Sequence, residues 1–306
     1  MKILFVGGTR FVGKSLLNKL SLKQHDITIF TRGINPVPDS LKHIQGDRKK
    51  EESLKLLEGN HFDIIIDSCG RTLEETQTLI KYTGLPKYRF LYISSAGVYA
   101  DKSIWPLDES CEIDSNSRHF GKYETERWLA EANIPFTSFR PTYIYGPGNY
   151  NSIEKWFFDR LLYDRPIPIP FNGQLITQLG HVDDLAQAML ISLDTEVANN
   201  KIYNCSGNTG ITLTGLAYTA ARVCNKKPSE VNFFSYEPSR LNNKSRKVFP
   251  LRTLHFLTDI NLIKNDLNWA PKYDLYLGLK DSYQNDYLLN DNNAPDFSLD
   301  KSLIGI

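Results

Sequence analysis

The sequence is poor in sulfur and has no long apolar run. Its four cysteines, Cys69, Cys111, Cys205 and Cys224, are scattered through 306 residues. They form no C-x-x-C pair and no metal-ligand spacing with the six histidines, which argues against a disulfide scaffold or a structural zinc and for a reduced compartment. No stretch approaches the ~18 apolar residues of a membrane span. Met1 leads straight into a predicted strand and leaves no room for a targeting segment, so a cytoplasmic protein is expected. Neither charge is in excess: 36 Lys and Arg stand against 35 Asp and Glu, so any basic patch must be local. The chain has no internal repeat.

What the sequence does have is alternation. "KILFVGG" is an apolar run ending in glycine, "KSLLNKLSLKQH" places Leu16, Leu17 and Leu20 at helical spacing, and "DITIFTRG" is a second strand. The pattern continues with "FDIIIDSCG" as a strand, "TLEETQTLIKYTG" as a helix with acids in its first turn, and "RFLYISSAGVYA" as one long buried strand. "GKYETERWLAEAN" and "PFTSFRPTYIYG" add a helix and a strand. Such alternation predicts an α/β fold with a doubly wound parallel sheet and a smaller C-terminal α/β lobe. The expected division assigns residues 1–146 and about 181–200 to a nucleotide-binding domain, 147–180 and 201–285 to the smaller lobe, and 286–306 to a loosely held polar tail.

The first turn, "GGTRFVG", has the frame of a dinucleotide site. Gly7 lets the strand turn tightly, Gly13 lets the helix approach the sheet, and the backbone of Thr9, Arg10, Phe11 and Val12 leads into a helix N-terminus that offers N–H groups to a phosphate. The middle glycine is missing; Arg10 replaces it and must point away, fold over the phosphates or block them. At the end of the second strand an acid would hold the ribose 2′-hydroxyl of NAD, whereas a cation accepts the 2′-phosphate of NADP. Arg32 lies 19 residues after Gly13 with no competing acid, so NADP is expected over NAD. Asp47 and Arg48 stand where an adenine edge would be held, with plain surface charge as the alternative.

Together "GGTRFVG", "YISSAGVYA", "RPTYIYGPGNY", "GHVDDLAQAM" and "LNWAPKYDLYLGLKDSY" resemble the extended short-chain dehydrogenase/reductase superfamily, the Rossmann fold of NAD-dependent epimerases and dehydratases. The resemblance covers residues 1 to about 285. It implies a catalytic Ser or Thr, matched by Ser95, and a Tyr-x-x-x-Lys, of which Lys122 matches the lysine. Arg118 stands where the tyrosine should be. The phenol of that tyrosine, with a free pKa of ~10, exchanges a hydroxyl proton as hydride moves, and a guanidinium cannot. Tyr123 is no substitute, since five helical residues turn it about 140° off the required face.

With "SRHFGKYETE", "WFFDRLLYDRPIPIP" and "RKVFPLR", the missing tyrosine makes the chain most similar to chloroplast stem-loop-binding proteins and their cyanobacterial relatives. That resemblance implies RNA binding on a reductase fold, an endoribonuclease activity dependent on divalent metal in some members, and a dinucleotide site that is retained or vestigial. A nucleotide-sugar epimerase or dehydratase using NADP is the alternative. The residues themselves mark no ribonuclease site; Asp183 and Asp184 are the one conceivable metal pair, and a turn-bracing role beside His181 is the expectation. "SRLNNKSRKVFPLR" gathers Arg240, Lys244, Arg246, Lys247 and Arg252 without an acid, with Phe249 as a candidate stacking ring. This run suits an RNA backbone, the diphosphate of a nucleotide sugar, or a solvated loop. By the same resemblance a homo-oligomer would pair through the two helices carrying Leu79, Trp128 and Leu129.

Overall fold

The structure, a computed structural model, describes residues 1–101, 104–151, 153–241, 249–290 and 294–300. It divides into two units, Met1–Thr142 with Val182–Ser206 and Thr258–Ala270, and Tyr143–His181 with Gly207–Leu257 and Pro271–Ile306.

The strands are β1 (Lys2–Val6), β2 (Asp26–Thr31), β3 (Lys42–Gln45), β4 (Ile64–Asp67), β5 (Arg89–Ile93), β6 (Phe136–Pro141), β7 (Tyr143–Tyr145), β8 (Ile167–Pro170), β9 (Ile176–Thr177), β10 (Leu179–His181), β11 (Lys201–Cys205), β12 (Ile211–Thr212) and β13 (Phe233–Tyr236). The α-helices are α1 (Phe11–Ser21), α2 (Glu51–Leu54), α3 (Leu73–Thr83), α4 (Phe120–Glu131), α5 (Ile153–Leu162), α6 (Val182–Leu193), α7 (Leu213–Val223), α8 (Asn261–Leu267) and α9 (Leu275–Ser282).

The first unit is a Rossmann fold. Its seven strands run parallel in the order β3-β2-β1-β4-β5-β6-β11, with Phe5 of β1 paired to Ile29 of β2 and Ile66 of β4. Strands covered on both faces read as continuous apolar runs, and β4 and β5 are buried at every position. A core of Leu4, Phe30, Ile65, Leu79, Phe90 and Leu129 fills one face. α1 packs against α6, joined by the Ser15 hydroxyl donating to Asp183. Helix ends follow local chemistry: Thr72 caps α3 by accepting from the Glu75 N–H, and Gly84, at φ +70°, ends it.

Three details differ from the sequence pattern. The long strand predicted from residue 89 ends at Ile93, because Ser95 turns the chain by capping a 3₁₀ turn, Ala96–Val98, through the Gly97 N–H. "PFTSFRPTYIYG" breaks at Thr142, and its two halves, β6 and β7, belong to different units. β11, within the stretch assigned to the smaller lobe, pairs in parallel with β6, since α6 is the crossover that feeds it.

The second unit packs α5, α7 and α9 with the pairs β7–β10, β8–β13 and β9–β12 around Phe157, Phe158, Ile167, Leu216 and Leu279. The tail expected to be loose is anchored where it is described: Asp300 accepts from Arg160 of α5 at 2.6 Å, with both side chains buried, and Arg160 lies 3.7 Å above Trp156. Among the described residues no helix is long and apolar enough to cross a membrane.

Candidate functional site

The turn between β1 and α1 is built from close approaches that only glycine permits. Gly7 and Gly8 take φ +95° and +90°. A Cβ on Gly7 would lie 2.4 Å from the Ser68 hydroxyl, and one on Gly13 would lie 2.6 Å from the Gly8 Cα. The first turn of α1 is therefore pressed onto the β1 turn, while Val12 and Gly13 are buried. Arg10 is the extended N-cap residue, with its side chain exposed, and Phe11 begins the helix at φ +43°. α1 has no acid of its own in its first turn.

At the end of β2, Arg32 is exposed and its carbonyl accepts from Gln45 at 3.1 Å. Asp47 uses its carboxylate to accept from the Lys49 N–H. Arg48 turns inward. Its guanidinium donates to Asp67 at 2.5 Å and to the Glu75 carbonyl at 3.1 Å, with Glu75's carboxylate at 3.7 Å. Asp67 was not singled out by the sequence; its only signal is an acid closing the apolar run "III" of β4. It is fully buried and accepts from Cys69 and Gly70 N–H groups as well. Burial alone would raise its carboxyl pKa; Arg48 and the two N–H donors outweigh that and hold it low.

Lys122, on α4, donates to the carbonyls of Gly70 at 2.9 Å and Ile93 at 2.6 Å, spending two of its three donors on the ends of β4 and β5. Burial lowers its pKa to about 8, with Asp67 and Glu126 opposing the fall. Ser95 is half-buried at the end of β5, where its hydroxyl accepts from Gly97. Arg118 is exposed, lies in the turn before α4 rather than on it, and donates from Nε to the His119 ring at 3.1 Å. Behind the lysine, Glu126 and Arg140 form a buried ion pair at 2.7 Å, completed by Ser138 and Tyr99.

The residues that would hold a dinucleotide fit one. The β1 turn has no room for a Cβ at Gly7 or Gly13 and so keeps bare backbone against the helix, the α1 N-cap makes no side-chain cap hydrogen bond, and Arg32 is an exposed cation at the end of β2. Among the described residues no group of three or more His, Cys, Asp or Glu side chains comes together to hold a metal ion.

The basic run is only partly described. Lys244, Arg246 and Lys247 lie outside the described residues. Arg240 is exposed at the end of a 3₁₀ turn, Pro238–Arg240. Arg252 is half-buried, its N–H donating to the Tyr143 hydroxyl and its guanidinium 4.5 Å above the Phe256 ring. Phe249 cannot stack a base, because it is 4% exposed and packs edge-on against Trp156. Leu79 and Leu129 likewise offer no pairing face; both are fully buried in the sheet core, and Trp128 packs partly against it.

Residues 3–206 match the NAD dependent epimerase/dehydratase family. The chain belongs to this family. Across 94% of its length it is 41% identical to the chloroplast stem-loop binding protein of 41 kDa b from Arabidopsis thaliana, of which the match covers 79%. Among solved structures, the UDP-glucose 4-epimerase of Thermotoga maritima, determined with UDP-glucose, aligns with a TM-score of 0.77 at 18% identity, covering 93% of this chain and 98% of that one. The UDP-glucuronic acid 4-epimerase of Bacillus cereus, in complex with NAD, aligns at 0.72 and 19% identity over 94% and 99% of the two chains. These two solved structures share the fold.

Proposed function

We propose that this protein binds structured RNA, and that its first unit holds an NADP-type dinucleotide as a ligand rather than as a working hydride carrier. Gly7 would shape the turn, its own N–H donating to the Phe30 carbonyl, while Gly8 and the first N–H groups of α1, from Phe11 to Gly13, would hold the pyrophosphate, Arg32 the 2′-phosphate, and Asp47 the adenine edge. Arg48 supports this site indirectly, because its guanidinium is committed to Asp67. A bound dinucleotide can take up or release hydride at its nicotinamide. Lys122 would orient it, and Ser95 stands at the same strand end, but the group that must exchange the substrate's hydroxyl proton is absent.

The observation that carries the reading is Arg118. An exposed guanidinium in the turn before α4 stands where the sequence resemblance expects the proton-transferring phenol, in a chain 41% identical to a protein named for stem-loop binding. The basic run containing Arg240 and Arg252 supplies further cations suited to a phosphate backbone.

Fluorescence anisotropy of a labelled stem-loop RNA, with NADP binding and UDP-glucose turnover followed in parallel, tests this. Salt-sensitive RNA affinity, NADP binding measured without RNA, and no sugar turnover are expected. Turnover of UDP-glucose without RNA affinity would overturn the reading and make the protein a nucleotide-sugar enzyme.

A further inference from the structure

Resting on the RNA reading, a more specific inference concerns where the phosphate backbone lies. In a parallel sheet every strand ends at the same edge, so the segment following each strand contributes to one rim. Here those segments carry exposed arginines: Arg10 after β1, Arg32 after β2, Arg71 after β4 and Arg118 before α4. Close approaches of glycines to side chains or backbone of neighbouring segments link parts of this rim. A Cβ on Gly7 would meet Ser68 and Cys69 of the β4 segment, one on Gly33 would lie 2.9 Å from Gln45 of β3, and one on Gly121 would lie 2.7 Å from the Arg71 carbonyl.

Exposed acids also lie on these segments, Glu51 and Glu52 after β3 and Asp101, Asp108 and Glu112 between β5 and Arg118, but those nearest Arg48 and Arg71 are committed. Asp67 is neutralised by Arg48, Glu75 accepts from the Arg71 N–H and faces Arg48, and Asp47 accepts from the Lys49 N–H. Glu74 lies exposed on α3, whereas α1 and α4 have no acid in their first turns. Both departures from the reductase pattern, glycine to Arg10 and tyrosine to Arg118, therefore add positive charge at the edge where a dinucleotide would sit.

We propose that the rim of the dinucleotide site is itself the RNA-phosphate grip, with Arg10, Arg32, Arg71 and Arg118 as its contacts. RNA and dinucleotide then compete for one edge. The two arginines are not relics of a lost enzyme but the residues that convert an anion-binding turn into a polyanion-binding rim.

The test compares the parent protein with the double variant Arg10→Gly and Arg118→Tyr, which restores both reductase residues, using anisotropy over a salt series. Loss of two phosphate contacts lowers the slope of log affinity against log salt by about 1.4 to 1.8 and weakens binding. Both side chains are exposed, and a thermal melt confirms that the variant folds. On the parent protein, phenylglyoxal modification mapped by mass spectrometry should show Arg10, Arg32, Arg71 and Arg118 protected when RNA is bound. If the parent binds RNA while the variant keeps its affinity and slope, or if protection falls on other arginines only, the rim assignment is overturned and RNA binding stands. If the parent does not bind RNA, the underlying reading fails as well.

Discussion

Gly13→Ala separates a dinucleotide turn from a merely compact one. The new Cβ would lie 2.6 Å from the Gly8 Cα and 3.0 Å from the Gly8 carbonyl carbon and nitrogen, so α1 and the β1 turn must part by about 0.8 Å to regain the 3.4 Å of ordinary contact. Overpacking of this kind costs about 1–3 kcal/mol, and the better helix propensity of alanine returns up to about 1 kcal/mol. The expected loss of stability is therefore modest, from near zero to about 3 kcal/mol. The effect on NADP is larger: displacing the N–H groups that face the pyrophosphate forfeits at least one charge-assisted hydrogen bond, about 1.5–3 kcal/mol, or roughly 10- to 100-fold in Kd. NADPH fluorescence titration measures the affinity, and urea unfolding measures the stability. Gly59→Ala is the control; Gly59 has φ +74° with nothing within 4 Å of a Cβ, so it should lose about 1–2 kcal/mol through backbone strain alone and bind NADPH as the parent does. A Gly13→Ala protein that binds NADPH as tightly as the parent would refute the assignment of this turn.

Further predictions concern the groups behind the site. Glu126→Ala leaves Arg140, 2% exposed, without its carboxylate and should cost about 3–5 kcal/mol in urea unfolding, whereas Glu126→Leu with Arg140→Met should cost much less; equal losses would show that the pair's charge is not what matters. Lys122, with a folded pKa of about 8 against ~10.4 unfolded, carries a penalty that is full below the lower value and gone above the higher one. The stability of the parent relative to Lys122→Met should thus rise by about 3 kcal/mol between those pH values, and a pH-independent difference would contradict the buried-lysine account. Asp300→Ala strands the buried guanidinium of Arg160 and should expose the C-terminal segment to limited proteolysis; an unchanged cleavage pattern would show that the segment is held by other contacts.

Much of the fold was legible because period and chemistry agree. "KILFV", "DITIFT" and "IIID" are apolar runs of strand length, and the leucines of α1 recur at helical spacing, so the alternation of a doubly wound sheet stands in the sequence. β3, "KHIQ", is an edge strand with one half-buried and three exposed positions, and so gives no apolar signal. Burial was harder to read than type. Leu79 and Leu129 look like pairing residues on amphipathic helices and are core; Phe249 looks like a stacking ring among cations and is core too. The role of Arg48, in the turn after β3, was hidden because its partner Asp67 lies 19 residues away at the end of β4. Arg10 and Arg118, by contrast, were conspicuous as departures from a pattern, and their shared edge becomes visible only when the strand order is known.

The central claim, that this family member grips RNA by its phosphates, is tested most directly by the salt dependence of stem-loop affinity in the parent protein. Four arginine contacts predict a slope of about −3 for log affinity against log salt, hence a loss of about 50- to 150-fold between 50 and 200 mM salt, and the same affinity for stem-loops of different sequence. No measurable binding at 50 mM salt, or binding that salt does not weaken, would contradict it.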